Sequence, residues 1–210
     1  MFEPRMPRGS GGRGARLSSR DSIRLVNGLA PAAAWCLIQV LDAVSSQQAW
    51  PTAILAIFDE LAHLLTAALV LALLPRSIIV RLWPWTLVGS VVIDIDHLPL
   101  YIFAPAFSVG GRPPTHSLIT VLTLLAVAVG VHALRVPFAG LSVGVCLHFM
   151  RDVATGPGVP LLWPMVPTSV LVPYQFYLGA VGVAALLGTW AVFRQSRPVP
   201  ESGSQGLRQA

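Results

Sequence analysis

Acidic and histidine side chains stand close together in an apolar stretch of the sequence, "AIFDELAHLLT", which carries Asp59, Glu60 and His63. On a helix, residues three or four positions apart share one face, so these three side chains would point the same way. An ionisable group inside a membrane-spanning helix costs about 2.5–3.5 kcal/mol, and such groups by default serve a function. The stretch therefore predicts a chemically active site inside the apolar part of the chain.

A second apolar stretch, "VVIDIDHLPLY", carries Asp94, Asp96 and His97. In an unbroken helix Asp94 and Asp96 would point to roughly opposite sides, because each residue turns the helix by about 100°. Pro99 removes a helical hydrogen bond, so we expect a kink or an unwound turn here. Such a turn would let both carboxylates face one site.

The stretch "GGRPPTHSLIT" places an arginine close to a histidine. Pro113 and Pro114 keep the chain extended, and Thr115 is then predicted to cap a helix whose first turn contains His116. Arg112 would stand beside the start of that helix, a place suited to anions and phosphates.

The stretch "LHFMRDVATGPGVPLLWP" carries His148 and Asp152, which are four residues apart and would share a helical face. Arg151, next to Asp152, has a plain interpretation as a charge whose stem lies along apolar surface. A lone intramembrane histidine is usually a packing residue, and an aspartate near a helix end is often a cap. We therefore assign no role to His132 and Asp42.

Histidines contributed by four separate segments, three of them with a nearby carboxylate, predict a shared metal centre. Mixed imidazole and carboxylate ligands suit Zn²⁺, with Mn²⁺ or Fe as alternatives, and the chain has no paired cysteines for a thiolate zinc site. Seven ligands exceed one tetrahedral site, so one ion and two ions both remain open. The predicted ligands are His63, Asp94, Asp96, His97, His116, His148 and Asp152.

The composition places these residues in a membrane. Hydrophobic residues make up 54% of the chain, charged residues 11%, and the mean hydropathy is +0.69. A soluble domain carries about a quarter charged residues. Several apolar segments approach the ~20 residues that a bilayer core requires. They run over approximately 25–45, 51–74, 82–103, 116–134, 136–154 and 169–193.

This pattern predicts an all-α integral membrane protein, with about six transmembrane helices forming one bundle over residues 25–193. Residues 1–24, which carry six arginines among Gly, Ser and Pro, are predicted to be a disordered cytoplasmic tail. Residues 194–210 are predicted to be a second one. We expect the first tail to hold the terminus at the bilayer surface and not to bind nucleic acid.

The arginines also predict the orientation of the bundle. With the N-terminus inside, twelve of the fourteen arginines lie on the cytoplasmic side, and only Arg112 and Arg151 lie towards the outside. Both termini would then be cytoplasmic, and the predicted site would open on the extracytoplasmic face of an inner membrane. If the segment at 25–45 did not span, everything after it would be inverted.

Taken together, the four stretches resemble the bacterial membrane-bound metal-dependent hydrolases that include YdjM and YbcI. The family's motifs are T-H, L-P-D-x-D-H, G-H-R-G-x-T-H-S, and H-x-x-x-D-x-x-T-x-G followed by L-W-P. The first three are similar to residues 62–63, 92–97 and 110–117. The fourth matches at His148, Asp152 and Thr155, followed by Leu162, Trp163 and Pro164. The chain departs from the pattern at several positions; among them, Gly111 replaces the first histidine of the third motif, and Ile93 replaces the proline of the second. Asp59 and Glu60 resemble additions that compensate for the lost histidine.

The resemblance implies metal-dependent hydrolysis, with water activated by the metal. The location of the site at the outer face of the membrane favours a small-molecule or lipid-linked ester or phosphoester as the substrate. Arg112 would stabilise negative charge on a phosphoryl group, and Asp59 and Glu60 complete the predicted catalytic residues. We predict that three hydroxyl side chains orient the metal ligands by hydrogen bonding without binding the metal themselves. They are Thr115, Ser117 and Thr155. Two alternatives use the same ligands: a divalent-cation transporter, and a non-catalytic membrane protein that a metal holds together.

Overall fold

The computed structural model describes residues 19–47, 49–97, 108–109 and 111–195. Within these residues the chain forms helices and no strand, and two isolated bridges join Val109 to Arg112 and Val159 to Val170. The predicted all-α class is confirmed. The α-helices are α1 (Ser19–Gln47), α2 (Thr52–Leu71), α3 (Arg76–Val92), α4 (Leu118–Gly130), α5 (Arg135–Asp152) and α6 (Tyr174–Gln195).

Five of the described helical segments are long and apolar enough to cross a membrane: Val26–Gln47, Thr52–Leu71, Arg76–Asp96, His132–Asp152 and Tyr174–Arg194. The predicted membrane bundle is therefore confirmed, with one difference in the segment at 116–134. There α4 has only 13 residues. At 1.5 Å per residue it extends about 20 Å, less than the ~30 Å of a bilayer core.

Several helix boundaries differ from the predicted ones. Helix α1 begins at Ser19, inside the predicted tail, while residues 1–18 and 196–210 lie outside the described residues. Helix α3 begins at Arg76 instead of residue 82, directly after Pro75, whose fixed φ suits a helix start. A 3-10 segment, Ile93–Asp96, then continues α3, whereas Pro99 lies outside the described residues.

Helices α3 and α5 approach closely because glycines line their contact. A Cβ atom on Gly144 would collide with the backbone at Thr86 and Ser90, and one on Gly140 would collide with Trp85. Small residues allow such contacts in membranes, where lipid removes the hydrophobic drive for helix association. The close approach brings Nδ1 of His148 to 2.9 Å from the carbonyl oxygen of Ser90.

The helices alternate in direction along the chain. The bundle therefore has one end that contains the ends of α1, α3 and α5 and the starts of α2, α4 and α6, and we call it the site end. Between the site end and the opposite end, α1, α2 and α6 pack through an apolar core. Its buried residues include Ile38, Leu41, Ala62, Leu69, Tyr177, Val181 and Ala185.

Candidate metal centre

The 3-10 turn after α3 presents two aspartates to the same partners. Oδ1 of Asp94 lies 3.1 Å from Nε2 of His116, and Oδ2 of Asp96 lies 3.2 Å from Nδ1 of the same ring. Nδ1 of His97 lies 3.3 Å from Asp94 and 3.2 Å from Asp96. A 3-10 helix has three residues per turn, so Asp94 and His97 stand directly above one another. The structure thus brings together both carboxylates, as the sequence predicted.

Helices α2 and α5 contribute a second, completely buried set of side chains. The rings of His63 and His148 stack with their centroids 3.8 Å apart and their planes 8° apart. Asp152 contacts both rings: its Oδ1 lies 3.4 Å from Nε2 of His63, and its Oδ2 lies 3.0 Å from Nε2 of His148. His148 and Asp152 therefore share a helical face, as their spacing predicted.

The contact between α3 and α5 determines which nitrogen of His148 faces the centre. Nδ1 lies 2.9 Å from the Ser90 carbonyl oxygen, which only accepts hydrogen bonds, so Nδ1 carries the hydrogen. In the neutral ring the lone pair is then on Nε2, which lies 3.3 Å from Asp94 and 3.0 Å from Asp152. Metal-binding histidines are held in this way, by a hydrogen bond from the other ring nitrogen.

Many polar atoms of the centre are buried, lie close together and yet have no well-aligned hydrogen bond. Leaving such an atom unsatisfied costs about 1–3 kcal/mol, and a bound cation would satisfy several of them together. The residues present therefore fit a divalent metal. These atoms are Nδ1 and Nε2 of His63, Oδ1 of Asp96, Nδ1 of His97, Nδ1 of His116, Nε2 of His148 and both carboxylate oxygens of Asp152.

All seven predicted ligands belong to groups whose ligand atoms lie within 4.8 Å of one another and could hold a metal ion. In the described part of the chain there are three such groups, and they overlap. They are Asp94 with Asp96, His97 and His116; His63 with Asp94 and His148; and His116 with His148 and Asp152.

The loop before α4 brings Arg112 and His116 into the centre. Arg112 is buried, its Nη1 lies 3.0 Å from Oδ2 of Asp152, and its Nε has no hydrogen-bond partner among the described residues. The prediction that His116 lies in the first turn of a helix is wrong, because α4 begins at Leu118, after the extended Ser117. Gly111 has a φ of 86°, a conformation that favours glycine, where the family pattern has a histidine.

The three residues predicted to support the ligands behave differently from one another. Thr115 donates a hydrogen bond from Oγ1 to Oδ2 of Asp96. Ser117 is buried and donates to the carbonyl oxygen of Pro114, while Oγ1 of Thr155 donates to the carbonyl oxygen of Arg151 at 3.3 Å. Thr115 therefore supports a ligand directly, whereas Ser117 and Thr155 bind the backbone of the segments that carry the ligands.

Asp59 and Glu60, the other predicted catalytic residues, have different surroundings. Asp59 accepts hydrogen bonds from Nε and Nη2 of Arg151, at 3.1 and 2.9 Å, and lies 3.9 Å from Nε2 of His63. Oε2 of Glu60 is buried and has no hydrogen-bond partner among the described residues. Asp59 is thus paired with Arg151, whereas Glu60 has one carboxylate oxygen that no described residue binds.

Arg151 and Asp42 form an ion pair that the sequence interpretation missed. Arg151 is buried, and its guanidinium reaches Asp42 at 2.7 and 3.2 Å, while Tyr174 donates its hydroxyl hydrogen to the same carboxylate. The interpretations of Arg151 as a surface charge and of Asp42 as a cap are therefore wrong. The sequence does contain an indication of this pair, because two opposite charges in apolar helices at the same end of the bundle each need a partner.

An open cavity of about 910 Å³ leads to the centre from the site end. Cavities of about 300–1,000 Å³ hold typical small-molecule ligands. Carboxylates, guanidinium groups and a phenol share its wall with apolar side chains. The charged and aromatic residues that line it are Asp42, Asp59, Glu60, Asp94, His97, Arg112, Arg151 and Tyr174.

His97 lies just beyond the membrane-spanning part of α3, where its protonation follows from its neighbours. Burial acts to lower the pKa of His97, but its contacts with Asp94 and Asp96 outweigh burial and raise the pKa to about 9. A cation bound at Nδ1 would replace the proton that these two carboxylates hold there.

The match to known proteins extends over the centre and most of the bundle. The sequence model of the YdjM inner membrane protein family matches residues 58–202. No curated protein and no solved structure matches the chain. The matched region contains every predicted ligand, whereas α1, which carries Asp42, precedes it.

Proposed function

Because this chain belongs to the YdjM inner membrane protein family, we propose that it is a membrane-embedded, metal-dependent hydrolase of esters or phosphoesters. The observation that carries the proposal is the set of buried imidazole and carboxylate atoms without well-aligned hydrogen bonds, which lies next to an open cavity lined by Asp94 and His97. The family and the long apolar helices indicate a multi-pass protein of an inner membrane. The metal we propose is Zn²⁺, with Mn²⁺ or Fe as alternatives.

A bound divalent metal would supply Lewis-acid polarisation of the scissile group and a lower pKa for water at the site. The protein's own residues would do the remaining work. Glu60, which lines the cavity and has one carboxylate oxygen without a hydrogen-bond partner among the described residues, would accept a proton from the attacking water. Arg112, whose Nε is unpaired, would bind the negative charge that develops on the substrate.

The core between the two ends favours a hydrolase over a cation transporter. A second cavity, of about 620 Å³, lies at the opposite end, where Ala34, Ala68 and Gly188 are among the residues lining it. On α1, α2 and α6 the region between the two cavities contains the apolar core residues defined above, and the hydroxyls of Thr66 and Tyr177 there hydrogen-bond to each other at 2.6 Å. A transporter needs cation ligands that are reached from both sides, and these core residues include no carboxylate or imidazole.

The distribution of arginines supports an extracytoplasmic site. Arg76, Arg81, Arg135 and Arg194 lie at the ends of α3, α5 and α6 that face away from the site end. Positive charge concentrates on the cytoplasmic side of membrane proteins, so the site end would face outwards. A substrate held in the outer leaflet, such as a lipid-linked phosphoester, would reach the cavity from there.

The decisive experiment assays the detergent-purified protein on phosphomonoesters, phosphodiesters and carboxylic esters, with and without added Zn²⁺ or Mn²⁺. We expect metal-dependent turnover of at least one class, abolished by His148→Ala and by Asp152→Ala. The matched control is His132→Ala, because this histidine is exposed at the opposite end of the bundle. Turnover that persists in both ligand variants, or bound metal without turnover of any ester, would overturn the proposal.

A further inference from the structure

We propose that the centre binds two divalent cations, which share the carboxylate of Asp94. One would lie in the partly exposed group described above, Asp94, Asp96, His97 and His116. The other would lie in a buried set, His63, His148 and Asp152, whose members come from the other two overlapping groups. The inference deepens the proposed function and rests on it, because it concerns the number of ions at the same site. Four features of the centre support the inference.

The first feature is that both sets contain buried ligand atoms with no well-aligned hydrogen bond. A catalytic zinc ion usually takes three protein ligands and keeps one position open. A single ion in the partly exposed set would leave both ring nitrogens of His63, Nε2 of His148 and the carboxylate oxygens of Asp152 without a well-aligned hydrogen bond, although all three residues are buried. A single ion in the buried set would leave Oδ1 of Asp96 and Nδ1 of His97 in that condition instead.

The second feature is the position of His116 between the sets. Its Nδ1 lies 3.2 Å from Asp96, whereas its Nε2 lies 3.1 Å from Asp94 and 3.6 Å from Asp152. A neutral imidazole offers one lone pair, so His116 would serve only one ion. Without His116 each set still has three protein donors, so neither ion depends on it.

The third feature is the position of one oxygen atom. Oδ1 of Asp94 lies 3.3 Å from Nδ1 of His97 and 3.3 Å from Nε2 of His148. These two imidazoles belong to different sets, so a single carboxylate stands between both. In two-metal hydrolytic sites the ions are about 3.5–4 Å apart, close enough to share such a ligand.

The fourth feature is the charge of the centre. Asp94, Asp96 and Asp152 are the three carboxylates among the proposed ligands, and Arg112 is paired with one of them. Ionised, these four side chains carry a net charge of −2. One divalent cation would neutralise that charge, whereas two would leave +2 in a low-dielectric site, which attracts an anionic substrate.

The test counts ions and detects whether they are neighbours, without measuring activity. The full chain in detergent is stripped by chelation, loaded with Mn²⁺ and freed of excess metal. Elemental analysis then gives ions per chain, and electron paramagnetic resonance separates exchange-coupled Mn²⁺ pairs from isolated ions. We expect two ions per chain with a coupled spectrum. The double variants Asp96→Ala/His97→Ala and His63→Ala/His148→Ala should each keep one ion with an uncoupled spectrum, and His132→Ala should keep the coupled pair.

The wild-type chain alone decides the question, even if a double variant fails to fold. One isolated ion per chain at saturation overturns the two-ion inference and leaves a metal-dependent hydrolase standing. Two uncoupled ions overturn the shared position of Asp94. An absence of bound metal, with Zn²⁺ as well as Mn²⁺, overturns both this inference and the proposed function.

Discussion

Asp42 of α1 and Arg151 of α5 form a bidentate ion pair, with nitrogen–oxygen distances of 2.7 and 3.2 Å across 109 positions of the chain. Arg151 directly precedes Asp152, a predicted metal ligand, and also binds Asp59 of α2. The pair therefore joins three helices beside the centre. Helix α1 lies before the region that the family model matches, so this partner of Arg151 comes from outside it.

We predict that Asp42→Asn destabilises the protein. Removing one partner of a buried ion pair costs about 3–5 kcal/mol, and because Asp59 remains as a second partner we expect a smaller loss of ~1–3 kcal/mol. Thermal unfolding of the detergent-solubilised variant measures it. Ser46→Ala is the control, because Ser46 is exposed on the same helix. An unchanged unfolding temperature for Asp42→Asn would show that the pair adds no stability.

We predict that metal binding stabilises the folded protein. A ligand that binds only the folded state at 100 times its Kd adds about 2.7 kcal/mol, so chelation should lower the unfolding temperature and added Zn²⁺ should restore it. His148→Ala should reduce this response, since Nε2 of His148 faces the centre, while the group of Asp94, Asp96, His97 and His116 would keep part of it. A response of equal size in His148→Ala would place the metal elsewhere.

We predict that Gly144→Ala weakens both the bundle and the centre. The added Cβ would meet the backbone of α3 at Thr86 and Ser90 and would push α5 away, moving His148 off the Ser90 carbonyl. Overpacking of this kind costs about 1–3 kcal/mol. Metal affinity and unfolding temperature should fall together. Gly130→Ala is the matched control, because a Cβ there meets nothing within 4 Å. Wild-type metal affinity in Gly144→Ala would contradict the prediction.

We predict that Arg112→Lys keeps its metal but loses hydrolytic rate. Lysine retains the positive charge opposite Asp152 but lacks the planar fork of donors. Losing one charge-stabilising donor typically costs about 10²–10³ in kcat. Metal content and kcat are measured on the same preparation, with Arg135→Lys, at the opposite end, as the control. Full activity in Arg112→Lys would exclude a role for this guanidinium in turnover.

We predict that the site end faces outwards. In a background lacking Cys36 and Cys146, a cysteine introduced by Gln47→Cys at the exposed end of α1 should react with an impermeant thiol reagent on intact cells. A reporter fused after the C-terminus should read as cytoplasmic. The reverse pattern would invert the bundle and place the cavity on the cytoplasmic side.

The parts of the centre that were predictable from sequence are those set by local geometry. His148 and Asp152 share a face because a helix repeats every 3.6 residues, and the turn that gathers Asp94 and Asp96 lies within one segment. The Asp42–Arg151 pair was not predictable in the same way. Two helices that are distant in sequence must pack before the charges meet, and no local spacing encodes that contact.

The start of α4 was misplaced for a different reason. Thr115 and Ser117 are both good helix caps, and sequence alone does not separate them. Tertiary contacts determine where the helix begins. The Thr115 hydroxyl donates a hydrogen bond to Asp96, and the backbone N–H of Leu118 donates one to the carbonyl oxygen of Leu161. The helix therefore starts after Ser117. His116 is thereby left in the loop, where both of its ring nitrogens face carboxylates.

The shortness of α4 has a consequence for the surrounding lipid. Leu122 and Val129 are exposed on its outer surface, so α4 faces the acyl chains directly, yet it is about 10 Å shorter than the hydrocarbon layer. Bilayers adapt to such hydrophobic mismatch by thinning locally, at a fraction of a kcal/mol per Å. We expect the leaflet to sink next to Ser117, bringing phospholipid headgroups down to the depth of His116. A lipid-linked ester would then meet the centre by lateral diffusion, without leaving its leaflet.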